Sequence, residues 1–530
     1  MGLETEMTVV LLTDCGAAMW SECLPELKRI LPHYLLRQRW YGAKGGAAPM
    51  VRVERAVDAG PDSIMLIVAA ETEEHVDRYF LPVCAVWGVA EPPRAIAELR
   101  TKQLTGWLID AFDSDLFVRC LVRTICTASN EADSDKLRYM RSSSFQLAAS
   151  SVDRLVIKRP QAEQSNTSIV IADAILKAFR RLVNGVHPEV EVGQFLTEQA
   201  RFHNAPDLLG TVELVDIESD ERIVLCVLQR LIKDSTDGWD FVATELGKLT
   251  HFTATSEEPA ERLLFIARKL GVHTAELHRA FASGTDPAFA PENTSEDWLR
   301  GWERVLKEKM HSLFNRLSRY SSEGGRRNRN IEILLLRYPE LTDRIDSWMP
   351  EKLTIVRTRI HGDFHLGQTL VTEDDVFIVD FEGEPMRTLA ERRGKYICIR
   401  DVAGMLRSFD YACASQMRKL DSTRADEELQ KIADAMKSTY LTQYLVAMAG
   451  CPSFPEDIRQ ANNILNLCLM EKAFYEIEYE MSNRPDWIDI PIVGLLSILD
   501  GRETASFVLS DVDPTRPTPA GVLNERLESS

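Results

Sequence analysis

The chain lacks the patterns that mark exported disulfide scaffolds, zinc proteins and membrane spans. Its ten cysteines are scattered from Cys15 to Cys468 with no Cys-x-x-Cys spacing, which argues against a disulfide framework and against a cysteine-built zinc site. No apolar run approaches the roughly 20 residues that cross a bilayer, and no basic leader precedes a cleavable apolar core. Net positive charge is also missing. The 62 basic and 81 acidic residues leave a charge of -19, and such a surface repels nucleic acid and anionic membrane. The expectation is a cytoplasmic protein with neither as a partner. Internal repeats and low-complexity tracts are absent, and the tail from Asp511, with its Pro, Ser and mixed charge, reads as poorly ordered.

What is present bounds the architecture. A chain of 530 residues with 45% hydrophobic content exceeds one typical core and divides into two or three domains. Three β-like runs around Val51–Arg55, Ser63–Ala69 and Tyr79–Cys84 form a small α/β cap, and helical periodicity is read over Ala95–Phe112. Leu155–Lys158, Ser168–Ala172, Ala174–Phe179 and Glu221–Ile232 read as strands, with a helix over Pro188–Phe202. Beyond Ile232 apolar spacings of three and four predict helices over Glu258–Phe281, Glu296–Tyr320, Ile331–Trp348, Arg400–Met417, Ala425–Val446 and Ile458–Met481. The reading is an α+β chain: a cap over 1–105, a β-containing N-lobe over 106–231 and a helical C-lobe over 232–530.

The chemistry concentrates in Arg359-Ile-His-Gly-Asp-Phe-His-Leu-Gly-Gln368 and Val376-Phe-Ile-Val-Asp-Phe-Glu-Gly-Glu-Pro385. Asp363 lies in a Gly-punctuated loop with Gln368 five residues on. Two short strands, Thr369–Val371 and Val376–Val379, joined by an acidic turn, return the chain so that Asp380 lies beside that loop. Phosphoryl transfer needs a base near the acceptor hydroxyl and oxygen ligands for the divalent ion on the nucleotide. Asp363 is the candidate base. Gln368, Asp380 and Glu382 are candidate ligands for Mg2+, which prefers oxygen donors. His361 and His365 flank the loop, and magnesium disfavours imidazole.

In the N-lobe, Lys177 lies within an apolar strand run and is the candidate for holding the phosphates of ATP. Glu191 is its proposed partner, with Glu189 and Glu198 as competitors. There is no Gly-x-Gly-x-x-Gly in this lobe, so the phosphate cover falls to Gln164, Ser165, Asn166, Thr167 and Ser168, whose backbone N–H groups and hydroxyls can donate. Val227–Leu231 is read as the hinge, with Gln229 and Leu231 near adenine. On the last long helix, Lys472, Tyr475, Glu476 and Tyr479 share a face by steps of three and four. That face suits either sugar hydroxyls or a solvated salt-bridged surface. His361, Arg387, Asp401 and Arg407 are further candidates for an acceptor wall.

His361-Gly-Asp-Phe-His365 with Asp380-Phe-Glu382 resembles the aminoglycoside phosphotransferase and choline kinase group. That resemblance implies a bilobal protein-kinase-like fold. The group usually carries Asn where Gln368 stands. The longer strings resemble bacterial maltokinases specifically: the two above, Leu389-Ala-Glu-Arg-Arg393, Arg400-Asp-Val-Ala-Gly-Met-Leu-Arg-Ser-Phe409, Arg39-Trp-Tyr-Gly-Ala-Lys-Gly45, Glu163-Gln-Ser-Asn-Thr-Ser168, Thr274-Ala-Glu-Leu-His278 and Glu471-Lys-Ala-Phe-Tyr-Glu476. The resemblance implies phosphorylation of maltose at the anomeric hydroxyl to maltose 1-phosphate, an acceptor pocket lined by C-lobe helices, and trehalose synthase as a partner. Two alternatives stand beside it: a kinase for glucosamine or another amino sugar, and a non-catalytic partner of trehalose synthase.

Overall fold

The computed structural model describes residues 8–42, 47–60, 62–72, 75–128, 137–160, 165–216, 221–249, 257–323, 328–419, 423–501 and 506–508. Gln164, the Lys44-Gly45 pair and the tail from Asp511 lie outside these residues. The chain forms two compact units. The first takes the chain up to Thr236 together with His361–Asp363 and Leu370–Gly394. The second takes Asp237–Ile360, Phe364–Thr369 and the chain from Lys395. The segments carrying Asp363 and Asp380, read from sequence as parts of the C-lobe, thus belong by their contacts to the first unit.

Two six-stranded sheets build the first unit. One holds β1 (Val9–Leu11), β2 (Met50–Asp58), β3 (Ser63–Glu71), β4 (Val76–Trp87), β5 (Ala97–Arg100) and β6 (Thr105–Asp110), in the order β1-β5-β6-β4-β3-β2. The other holds β7 (Leu137–Arg141), β8 (Ile157–Lys158), β9 (Asn166–Ile171), β10 (Ala174–Phe179), β11 (Leu208–Asp216) and β12 (Glu221–Arg230), in the order β7-β11-β12-β10-β9-β8. The nearly continuous apolar run of β3 follows from burial on both faces. Ile64, Leu66, Val68 and Ala70 pack with Leu27, Leu31 and Tyr34 of the helix Trp20–Leu36. Met65 and Ile67 face the other way, into a core shared with Leu176 and Leu228 of the second sheet and Leu121 of the helix Asp115–Thr127. Cap and lobe sheets therefore share one apolar interior. Trp40 and Tyr41 pack against Tyr79, with ring centroids 5.7 and 5.3 Å away.

Three sequence readings need correction. The stretch Ala95–Phe112 is not a helix but the pair β5 and β6 with a short 3-10 turn. Its local alternation carries the signal: Ala97 and Leu99 are buried, while Glu98 and Arg100 pair at 2.7 Å on the exposed side. The helix from Pro188 ends at Gln194 and passes into a π-turn, Phe195–Ala200, closed by Arg201 at φ 53°. Ile331–Trp348 is two helices, Arg329–Leu336 and Tyr338–Trp348, the second with its proline in the first turn, where the missing N–H costs nothing.

The second unit is built from long helices, chiefly Glu257–Ala282, Glu296–Glu323, Ile399–Met417, Thr423–Met448 and Ile458–Asn483. The helix Ile458–Asn483 buries apolar residues around most of its circumference, including Ile464, Leu467, Leu469 and Met470. A helix surrounded by others in this way shows little amphipathic contrast. No described helix is long and apolar enough to cross a membrane.

Candidate active site

The hairpin expected after Gln368 is present as Thr369–Val371 and Val376–Ile378. Asn204 ties it to the lobe, donating from Nδ2 to Asp375 Oδ2 and to the Val376 carbonyl, both at 3.1 Å, and accepting from the Ile378 N–H at 2.7 Å. Just past the hairpin the backbone of Asp380 turns left-handed at φ 66°, a conformation that Asp tolerates better than most residues. Such outliers persist where the surroundings enforce them, often at functional sites.

The two motif loops are latched by His361. Its Nε2–H donates to the Val379 carbonyl at 3.0 Å, and its Nδ1 accepts from the Asp363 N–H at 3.4 Å. The ring lies 5.1 Å from that of Phe381 and is 2% exposed. His361 therefore braces the Asp363 loop against the Asp380 turn, where the sequence reading had it facing an acceptor. Gly362, at φ 85°, supplies the left-handed backbone that the turn requires, and a Cβ there would make only ordinary contact, 3.7 Å from Gly383 Cα.

Lys177 reaches this turn from β10. Its Nζ lies 2.6 Å from Asp380 Oδ1 and 2.6 Å from Glu382 Oε1. Burial opposes the ammonium charge, but Glu382, Asp380 and Glu189 together raise the lysine well above its ordinary pKa. Glu189, not Glu191, is the helix carboxylate in electrostatic reach of Lys177. It is 1% exposed, burial pushes its carboxyl upward, and Oε1 accepts from Gln229 Nε2 at 2.8 Å. Glu191, about 200° further round the helix, binds Arg393 through two hydrogen bonds of 2.6 and 3.0 Å.

The remaining nucleotide candidates separate. Asn166 Nδ2 donates to Glu382 Oε1 at 3.2 Å, Thr167 Oγ1 accepts from Arg180 Nε at 2.7 Å, and Ser165 is exposed. The Gln229 amide is committed to Glu189, and the Leu231 N–H is taken by the Asp173 carbonyl at 2.9 Å. Gln368 ends a 3-10 turn in the second unit, its N–H donating to the His365 carbonyl at 2.9 Å.

Of the acceptor candidates, Arg387 is engaged with Glu384 in the first unit. Asp401, Arg407 and Glu476 point inward in the second. Asp401 accepts from His278 Nε2 at 3.1 Å, and Arg407, 1% exposed, lies 3.0 Å from Glu476 and 3.2 Å from Asp410. These buried pairs hold helices together. Lys472 and Tyr475 lie on the outer side. Lys472 Nζ stands 4.9 Å from the Tyr475 ring, Tyr475 stacks with Tyr479 at 6.3 Å, and Arg484 lies over both Tyr479 and Trp487. Trp487, not singled out in the sequence reading, extends this cation–aromatic row. Its signal was the aromatic eight residues past Tyr479, beyond the helix end.

Among the described residues no group of three His, Cys, Asp or Glu side chains forms a ready metal cluster. The donor chemistry of Asp380 and Glu382 nevertheless fits magnesium, which keeps waters and takes one or two carboxylates beside substrate phosphates. Both carboxylates reach the Lys177 ammonium.

Residues 34–113 match the maltokinase N-terminal cap domain and residues 156–383 match the phosphotransferase enzyme family. The glucosamine kinase of Streptacidiphilus jiangxiensis is 24% identical over 344 residues, which are 64% of this chain and 73% of that protein. The glucosamine kinase of Mycolicibacterium smegmatis (strain ATCC 700084 / mc(2)155) is 23% identical over 343 residues, 64% of this chain and 78% of that one. Among solved structures, a glucosamine kinase in complex with glucosamine, ADP and inorganic phosphate superposes with a TM-score of 0.62 at 18% identity, covering 88% of this chain and 97% of that chain. A second crystal form gives 0.63 at 19% identity, covering 91% and 99%. The chain has an α+β, protein-kinase-like fold with an N-terminal cap.

Proposed function

We propose that this chain, a phosphotransferase-family protein with a maltokinase-type cap, is an ATP-dependent sugar kinase. The observation that carries the proposal is the convergence of Lys177, Asp380 and Glu382, with the Asp363 loop latched to the same turn by His361. In this reading Lys177 turns to the nucleotide phosphates when they arrive, while Glu189 keeps the ammonium in place. Asp363 accepts the proton of the acceptor hydroxyl as its oxygen bonds to phosphorus. A magnesium ion entering with the nucleotide would be held by Asp380 and Glu382 and would supply charge neutralisation of the phosphates. His361 fixes the loop so that Asp363 needs little reorganisation.

Maltose, phosphorylated at its anomeric hydroxyl to maltose 1-phosphate, is the proposed acceptor. The matched cap supports it, as does the outward row of Tyr475, Tyr479 and Trp487. Aromatic faces stack on the C–H face of a pyranose, and neighbouring cations can donate to its hydroxyls. The glucosamine kinase relatives favour a second reading, an amino-sugar acceptor. An ammonium sugar needs a carboxylate to pair with, and Asp401, Asp410, Glu471, Glu476 and Glu480 of the helical unit already lie against His278, Arg407, Arg400 or Arg484. The third reading, a catalytically idle partner of trehalose synthase, is disfavoured by the intact Lys177–Asp380 pair.

The test is ADP formation with Mg-ATP and separate maltose, glucosamine, glucose and trehalose, beside an Asp363→Asn control. Turnover with maltose that the control loses supports both the acceptor and the base. Preference for glucosamine overturns the acceptor alone, and no turnover with any sugar overturns the kinase reading.

A further inference from the structure

We infer that Arg180 is a positioning residue through which the N-terminal cap grips the phosphate-covering strand β9. The inference rests on the kinase reading for what β9 covers, but the grip itself is independent of it. Arg180 follows β10, three residues after Lys177, and is 2% exposed. Its Nη2 lies 2.6 Å from Asp110 Oδ2 at the end of β6, and its Nη1 donates to the Phe80 carbonyl of β4 at 3.4 Å. The guanidinium also lies 5.1 Å from the Trp40 ring and 4.9 Å from that of Phe112. All four partners lie within residues 34–113, the stretch that matches the cap domain. The Phe80 N–H returns a bond to the Arg180 carbonyl at 2.8 Å, so the backbone is fixed as well.

The remaining donor, Nε, binds Thr167 Oγ1 at 2.7 Å. Successive residues of a strand point to opposite faces. Asn166 and Ser168 therefore share a face with Lys177, the partner of Ser168 in the β9–β10 register, while Thr167 faces the cap. Asn166, the next residue back, donates to Glu382, which in turn holds Lys177. A continuous row of contacts thus runs from Asp110 through Arg180 and Thr167 to the Lys177 site.

This end of β9 needs such a grip. On its outer side β8 pairs only with Val170 and Ile171, so among the described residues Asn166–Ser168 has a strand neighbour on one side only. A strand end paired on one side frays readily. Its hydrogen bond to a buried guanidinium held by Asp110 and Phe80 supplies an anchor that the sheet does not, and pre-organised groups bind ligand without a further ordering cost.

Replacing Arg180 would strand a buried Asp110, so the decisive variants keep the buried pair or its volume. Thr167→Val removes only the acceptor oxygen. The expected result is faster amide exchange of residues 166–168 by about tenfold and a rise of about three- to tenfold in both the ADP Kd and the KM for ATP. The sugar KM and exchange in β3 and β4 should not change, and Thr167→Ser should restore the original values. Asp110→Asn should act in the same direction, and the two changes together should fall short of the product of their separate effects. Unchanged exchange in Thr167→Val, or full multiplicativity in the double variant, overturns the inference. A parent protein that binds no ADP overturns the kinase reading instead, while the exchange measurement still decides the grip.

Discussion

Lys177 Nζ and Asp380 Oδ1 lie 2.6 Å apart although 203 residues separate them in the chain. The ammonium holds the acidic turn in place and is itself held by Glu382. With its pKa raised well above the ordinary lysine range, Lys177 carries its charge through any pH at which the enzyme would be assayed.

Asp363→Asn tests the base directly. It should lower turnover by about a hundred- to ten-thousandfold, with ADP affinity unchanged by calorimetry, because Asp363 is assigned to the acceptor and not to the nucleotide. Equal loss of nucleotide binding would move Asp363 out of that role.

Glu189 and Glu191 should separate cleanly. Glu189→Gln removes a buried carboxylate whose charge burial disfavours, so the unfolding midpoint should hold or rise while the KM for ATP rises about severalfold. Glu191→Gln weakens the Arg393 pair, costs about 1 kcal/mol and leaves the kinetics unaltered. The reverse pattern would restore Glu191 as the lysine partner.

Gly404→Ala probes support of the Phe364 segment, next to the proposed base, within the helical unit. A Cβ at Gly404 would come 2.5 Å from the Phe364 carbonyl oxygen, so Phe364, next to Asp363, has to move. The expected loss is about 1–3 kcal/mol of stability, seen in denaturant unfolding, with kcat falling more than the KM for ATP.

Stability should fall as pH rises above about 6.5. Burial opposes protonation of His278, yet its hydrogen bond to Asp401 outweighs this and raises its pKa to about 9, from about 6.5 in an unfolded chain. A raised folded-state pKa gives stability that is full below about pH 6.5 and is lost as pH rises through about 9, on the order of 3 kcal/mol. Unfolding midpoints measured across that range should decline, and His278→Gln should flatten the decline. His187 acts oppositely: burial lowers its pKa to about 4, so its neutral native state loses stability as pH falls from about 6.5 towards 4.

Local pattern determined much of this protein. The hairpin after Gln368, the strand carrying Lys177 and the long helices were legible because each depends on spacing within one segment: period two, or period three to four. The approach of the Asp363 loop to the Asp380 turn was legible for the same reason, since a short hairpin fixes where its two ends lie. Ala95–Phe112 misled because its apolar residues satisfy both periods; the alternation over Ala97–Arg100 favours a strand, and pairing of β6 with β4 and β5 selects it.

Tertiary structure alone decided the partners. Whether Glu189 or Glu191 faces Lys177 depends on the rotation of one short helix, which is set by what packs on its other side. Asp401, Arg407 and Glu476 were read as an acceptor wall because they are polar on a helix. Their burial follows from oppositely charged or hydrogen-bonding partners, chiefly on neighbouring helices, that no local spacing reveals. Arg180 was invisible for the same reason: its six contacts come from the cap and from β9, and a guanidinium is drawn wherever distant segments gather acceptors and aromatic faces.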